Sequence, residues 1–315
     1  MTEKLCAISV DLDPLTAYYQ IHGLGNPPPP LKATIIRRVL PRFAELFDEA
    51  GVPATFFIVG RELERSQEAQ ELVRQLAEAG HELGNHTYTH PYDLCRLAPE
   101  AIAEEIRRAH EVIAGTIGEQ RAPQGFRSPG YFINGEVLAR LVAQGYRYDS
   151  SMFPSPPYYL AKLAVMGLMA LRGRRSGAVV SDPRGLTAPP DPYRPHPARP
   201  WARGSAPLVE LPVAVLPGTR VPAIGTLVAA GPPWLRRLAL DGIRRRPLFN
   251  LELHGIDLAD AVADRIPTEL AGRQPDLRIP FCEKRRVFLD TLTELRAHYR
   301  CVTLAEAAAT WSDKV

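Results

Sequence analysis

The chain has 315 residues, 45% of them hydrophobic, with 38 basic and 35 acidic side chains and a net charge of +3. That is ample material for a packed core and too even a balance to suggest a nucleic-acid binder. Without a run of about 18 apolar residues, no helical membrane span is expected. Cys6, Cys95, Cys282 and Cys301 form neither a CxxC pair nor a dense framework, as in a reducing compartment.

The opening stretch, MTEKLCAISVDLD, passes from a charged tetrapeptide straight into a strand-like segment. It lacks the apolar stretch and small-residue cleavage site of a signal peptide, so a cytoplasmic location is expected. Short apolar runs bounded by Gly, Pro or charge then recur at 5–10, 54–60, 81–85, 125–129, 146–150, 207–213, 248–254 and 301–304, and read as buried strands. Between most of them lie stretches with helical spacing, at 35–50, 68–79, 99–117, 134–144, 232–245 and 284–299. Strand and helix alternate about seven times, which favours a parallel (β/α) barrel over an open doubly wound sheet. Residues 155–206 break the alternation with a long, Pro-rich segment, more in keeping with an active-site lid or binding insertion than a connector. The whole reads as a single catalytic domain carrying that insertion.

Active sites of parallel barrels gather at the C-terminal ends of the strands, so the informative residues are the polar ones that close each apolar run. These are Asp11 and Asp13, His86 and His90, Arg127, Asp149, and His254. His86 and His90 stand four apart, a spacing that on a helical turn puts both imidazoles on one face. With Asp13 they make a two-histidine, one-carboxylate set that leaves a position open, as catalytic zinc sites do; cobalt, nickel or ferrous iron also accept such ligands. Asp11 shares the strand face of Asp13 and can serve as a base for a metal-activated water, with Arg127 as its cation. His254 ends a strongly apolar strand and can protonate a leaving amine. Asp149, or alternatively Asp257, is expected to hold its imidazole. The loop carrying Tyr18, Tyr19 and His22 follows the acidic motif and is expected to overhang the pocket and touch substrate.

Five motifs in order, SVDLD, HTYTHP, FRSPGY, YDSSMFP and LELHG, spread over residues 5–256, resemble the polysaccharide deacetylase (NodB-like) family of carbohydrate esterases. The resemblance implies a distorted (β/α)7–8 barrel of the NodB-homology type. It also implies Asp13, His86 and His90 as metal ligands, Asp11 as general base, His254 as general acid, Arg127 bracing Asp11, and Asp149 tuning His254. Its oxyanion donor, a backbone N–H just past the Arg-Pro motif, falls at Gly130 or Tyr131. Leu251, Leu253, Met152 and Phe153 are the implied lining of an acyl pocket. The acidic motif reads D-x-D instead of adjacent aspartates, as in branches resembling peptidoglycan-type deacetylases, formamido-sugar deformylases and allantoinases.

The expected function is therefore metal-dependent hydrolysis, with zinc as the expected ion, of an N-acetyl or N-formyl group on an amino sugar or related small amide. Hydrolysis of a cyclic amide or ureide is the alternative on the same fold. A non-catalytic carbohydrate-binding protein is the alternative of another class, and it would not need the base and acid. In the insertion, YYLAKLAVMGLMALRGRR sets an apolar stretch beside Arg172, Arg174 and Arg175, and PPWLRRLALDGIRRR repeats the theme with Trp234, Arg236, Arg237, Arg244 and Arg246. Both suggest interfacial helices, a lid at the cytoplasmic membrane face and a lipid-linked amino sugar.

Overall fold

Strand β1 (Leu5–Asp11) is buried along its whole length because it is paired on both edges. Along one edge it runs parallel to β9 (Leu248–His254), from Leu5 opposite Leu248 to Asp11 opposite His254. The other edge is shared: Leu5–Ala7 face β10 (Arg300–Val302) and Ser9–Asp11 face β2 (Thr55–Ile58). From β2 the sheet continues, always parallel, through β3 (Glu82–Asn85), β4 (Gly125–Phe126), β5 (Tyr148–Asp149) and β8 (Val209–Glu210). Beyond β8, the Ala214 N–H donates to the carbonyl of Asn250, and the Asn250 side chain donates to the carbonyls of Leu211 and Pro212. These bonds draw β8 against β9 and curl the sheet into a distorted parallel barrel. The computed structural model describes residues 3–173, 176–180, 182–244 and 246–315.

Alternation along the strands separates two kinds of interior. Cys6, Ile8 and Val10 of β1 and Phe249, Leu251 and Leu253 of β9 point outward into one core with the surrounding helices. Leu5, Ala7 and Leu248 point inward and plug the bottom of the barrel with Phe57, Tyr148, Val209 and Val302. Above that plug the inward positions turn polar, with Ser9, Asp11, Asn250, Glu252 and Arg127 all buried. Gly125 is required where β4 meets β5, since a Cβ there would lie 1.8 Å from the Tyr148 ring.

All eight expected strands form, several shortened to two residues, and the helices Gln67–Glu78, Pro99–Ile117, Gly135–Ala143, Pro233–Ile243 and Phe281–Arg296 fall within a few residues of the predicted spans. The stretch 35–50 begins as a wider π-type turn, Ile35–Val39, before the α-helix Leu40–Ala50, with Pro41 near the junction unable to donate its nitrogen. The insertion holds the helix Pro156–Leu171, whose first turn is capped by Ser155, and an antiparallel hairpin of β6 (Pro195–His196) and β7 (Arg199–Arg203) that periodicity did not reveal. Cys6 and Cys301 are free thiols facing each other in register. Among the described residues no helix is long and apolar enough to cross a membrane.

Candidate active site

Asp13 follows the end of β1, and His86 and His90 follow β3. Both imidazole Nε2 atoms lie 3.1 Å from the same Asp13 Oδ1, with the rings 5.0 Å apart. The expected helical turn is absent. Residues 86–90 form a tight loop in which Thr87 and His90 both take positive φ, 65° and 63°, a conformation costly for side chains with a Cβ unless the surroundings enforce it. The enforcing contacts are specific. Thr87 N–H donates to Asn85 Oδ1, His90 N–H donates to Thr87 Oγ1, and the Glu105 carboxylate accepts from the N–H groups of Tyr88 and Thr89 and from the Thr89 hydroxyl.

The three side chains fit a divalent cation. His86 Nδ1 donates to the Arg127 carbonyl at 2.6 Å, which reserves Nε2, on the Asp13 side, as the nitrogen available to a cation. His90 Nε2 is buried with no hydrogen-bond partner despite the nearby carboxylate. Two imidazole nitrogens and one carboxylate oxygen within a few ångströms of a common point are a zinc-type donor set. Burial works against the Asp13 carboxylate, yet His90, His86 and His254 more than offset it and hold its carboxyl well below the ordinary range. Burial opposes charge on His86 too, but Asp11 and Asp13 raise it above its ordinary value.

Asp11 receives Arg127 Nη1 at 2.7 Å. The guanidinium is fully buried and otherwise satisfied, donating to Ser9 Oγ, Ser150 O and Ser150 Oγ, and it sits 4.4 Å from the centre of the Phe57 ring. Arg127 takes one Asp11 oxygen, and the carboxylate lines the same cavity as Asp13 and His86.

His254 also lines that cavity, but its expected partner is wrong. Nδ1 lies 2.8 Å from Glu252 Oε1. Alternate residues of a strand share a face, so Glu252 is placed beside His254 on β9 itself, a relation legible in LELH but overlooked. Burial lowers the imidazole's affinity for a proton, but Glu252, Asp13 and Asp11 more than reverse this and raise it well above the ordinary value. Asp257 holds the backbone instead, accepting the His254 N–H at 2.8 Å. Asp149 lies elsewhere: it accepts from Ser151 Oγ, which itself accepts the Ser128 N–H, and it stands opposite Glu210 in register. Burial raises both carboxyls, Glu210 well above its usual range. Asp149 thus braces the turn that begins at Ser128.

That turn carries Gly130 and Tyr131, both at positive φ. The Tyr131 N–H donates to the Ser128 carbonyl at 3.1 Å, which leaves Gly130 as the better placed of the two candidate oxyanion donors. The Tyr131 hydroxyl lies 3.4 Å from His254 Nε2.

Other expected positions are corrected by the faces on which they fall. Leu253 and Leu251 point out of the barrel into the helical core. Phe153 packs edge-on against Tyr131 and at a tilt against Tyr158 without lining the metal cavity, and Met152 is buried in a neighbouring cluster. Leu15–Ile21 is a helix, not a loop. Tyr18 and His22, one turn apart, therefore face the cavity, whereas Tyr19 is turned into the core. The Tyr18 hydroxyl is buried and unpartnered. His22 Nε2 lies 3.1 Å from Gln274 Oε1, and burial lowers its pKa.

The cavity measures about 410 Å³. Its floor holds Asp11, Asp13, His86 and His254, and its wall includes Tyr92, Tyr131, Ile224 and Ile256. The insertion closes over it, supplying Tyr158, Ala161, Lys162, Val165 and Met166 from the helix Pro156–Leu171, and then Ser176 and Ala178. Sequence reasoning missed Tyr92 and Glu252 and placed the insertion only as a lid or binding segment.

Residues 30–148 match the family model described as polysaccharide deacetylase. A peptidoglycan deacetylase of Helicobacter pylori is 26% identical over 162 residues, half of this chain and 53% of the relative. A chitooligosaccharide deacetylase of Rhizobium leguminosarum bv. trifolii is 39% identical over 103 residues, 33% of this chain and 45% of the relative. The aligned regions thus span about half or less of these curated relatives. Among solved structures, a putative polysaccharide deacetylase from Mycobacterium smegmatis aligns over 100% of this chain and 92% of its own, with a TM-score of 0.60 at 18% identity. That likeness establishes the fold.

Proposed function

We propose, from the premise that residues 30–148 belong to the polysaccharide deacetylase family, that the chain is a metal-dependent amide hydrolase. It removes a small N-acyl group, acetyl or formyl, from an amino sugar. The observation that carries this reading is one cavity lined by Asp13 and His86 of the Asp13, His86 and His90 donor set together with the Arg127-held Asp11 and the Glu252-held His254.

A divalent cation on Asp13, His86 and His90, zinc by donor chemistry, would supply Lewis acidity to the amide carbonyl and to water. Asp11, fixed through one oxygen by Arg127, takes the proton of the attacking water. The Gly130 N–H, on a residue that lines the cavity, would donate to the oxygen that gains charge, a contribution of a few kcal/mol for such donors. His254, held in its charged form by Glu252, gives its Nε2 proton to the departing amine. Water thus adds to the carbonyl carbon, the C–N bond breaks, and carboxylic acid and free amine leave.

The test is release of acetate or formate from a panel of N-acetylated and N-formylated amino sugars, with and without prior chelation. Turnover that is lost on chelation and restored by a divalent cation is expected. Absence of turnover across the panel in metal-loaded protein contradicts the reading.

We also propose that the enzyme works in the cytoplasm, peripherally at a membrane face, on a lipid-linked sugar. What supports this is the outer side of the lid helix. Leu160 and Leu171 are 64% and 87% exposed, and Trp234 of the helix Pro233–Ile243 is 67% exposed. Arg172 and Arg237 are exposed beside them, as anionic lipid attraction would require. Arg244 and Arg246 are ion-paired with Glu294 and Asp191 and drop out of this surface; Arg174 and Arg175 lie outside the described residues. Sedimentation with anionic liposomes that falls with added salt is expected, and no binding at low salt contradicts it.

A further inference from the structure

The lid helix offers its cavity-facing stripe at a regular spacing, with Tyr158, Lys162 and Met166 each one turn apart. Lys162 is the only lysine or arginine among the described residues lining the cavity. It is half-buried, with Nζ 4.6 Å from the centre of the Phe132 ring. No carboxylate among the described residues pairs with it, and burial alone pushes its ammonium down to about 8. A lysine free to choose extends its head to water. On this helix the outward positions are instead leucines, Leu160, Leu163, Leu168 and Leu171, while the cation is turned inward. A partly desolvated ammonium whose one close partner is the face of an aromatic ring still lacks an anion to offset its burial.

We propose that Lys162 is a specificity-determining residue that binds an anionic substituent, a phosphate or a carboxylate, on the amino-sugar substrate. The site thereby selects charged sugars over neutral ones. This rests on the function proposed above and narrows its substrate class. Asp11, Asp13, His86 and His254 occupy the floor of the cavity and Lys162 stands on the lid helix, so the amide is held at the floor and the anionic group at the lid.

The experiment compares kcat/KM for N-acetylglucosamine, its 1-phosphate and its 3-O-lactyl ether in the wild type, Lys162→Met and Lys162→Arg. One charged sugar is expected to be favoured over the neutral one by about tenfold or more, the scale of a charge-assisted hydrogen bond. That ratio should fall toward one in Lys162→Met and be kept in Lys162→Arg. A gain with the phosphate alone identifies phosphate as the recognised group, and a gain with the lactyl ether alone identifies carboxylate. No preference in the wild type, or the same ratio in Lys162→Met, overturns the proposal. Calorimetric titration of the 1-phosphate and the lactyl ether separates this from failure of the functional reading. If no acyl group is released from these sugars or from their N-formyl counterparts but either anion binds the wild type more tightly than Lys162→Met, the assignment of Lys162 stands and the hydrolase reading falls. Equal binding of both by the two proteins sinks the assignment of Lys162.

Discussion

The barrel rim and the lid use opposite means to shape one cavity. At the rim several functional side chains are fixed by buried partners: Arg127 by three serine atoms and Asp11, His86 by the Arg127 carbonyl, His254 by Glu252. The lid helix Pro156–Leu171 has no buried residue at all. It offers one stripe to the cavity and leaves leucines in solvent. The rim is thus over-determined by polar contacts that lose their value if any member moves, whereas the lid tolerates displacement. In the proposed function, chemistry belongs to the first region and choice of substrate to the second.

The sharpest contrast is expected from Asp11→Asn. Removing the base should lower kcat by roughly 10²- to 10⁴-fold while metal content, read by elemental analysis, stays at wild-type level. Loss of the metal with Asp11→Asn would move Asp11 into the ligand set. Arg127→Met comes next, since it strands a buried carboxylate. Denaturant unfolding should show a loss of about 3–5 kcal/mol, and a loss below 1 kcal/mol would mean that the rim is less tightly specified than its hydrogen bonds imply.

The third prediction concerns pH. With its pKa raised chiefly by Glu252 against the effect of burial, His254 keeps its proton above the usual imidazole range, and activity should fall as pH rises through that raised value. Glu252→Gln removes the main source of the elevation, so the alkaline limb of kcat should move to lower pH, by about 1–3 units for loss of an adjacent opposite charge. An unmoved limb would detach it from His254. The smallest effect is expected in the lid. Leu160→Gln should change stability by no more than about 0.5 kcal/mol, as for other exposed positions, yet weaken liposome binding. A large loss of stability would show Leu160 to be packed, in contradiction to its exposure.

Much of the rim was legible because its residues come at strand ends, where apolar runs stop. Asp11, Asp13, His86 and His254 line one cavity, with His90 beside Asp13 and Arg127 beside Asp11. The misreadings share one physical cause, the assignment of a residue to the wrong face. Leu253 sits between two inward residues of β9 and therefore points outward. Tyr19 lies on a helix that directs Tyr18 and His22 to the cavity. Asp149 stands on another strand, opposite Glu210, whereas Glu252, two residues from His254 on the same strand, holds the imidazole. The positive φ at Thr87 and His90 left no signal in composition or period, since it is imposed by Asn85 and Glu105 from outside the loop. The lid was recognisable as a long insertion, but Tyr158, Lys162 and Met166 acquire meaning only from what lies beneath them.

The central claim, that Asp13, His86 and His90 hold the cation that makes this cavity a hydrolytic site, is tested most directly by titrating chelator-stripped protein with cobalt(II) or zinc(II). Binding should be followed by calorimetry, in the wild type and in His86→Ala and His90→Ala. The account predicts one tight site per chain in the wild type and its loss or severe weakening in both variants, with each still folded by circular dichroism. Undiminished binding in the two folded variants, or no stoichiometric binding in the wild type, would contradict it.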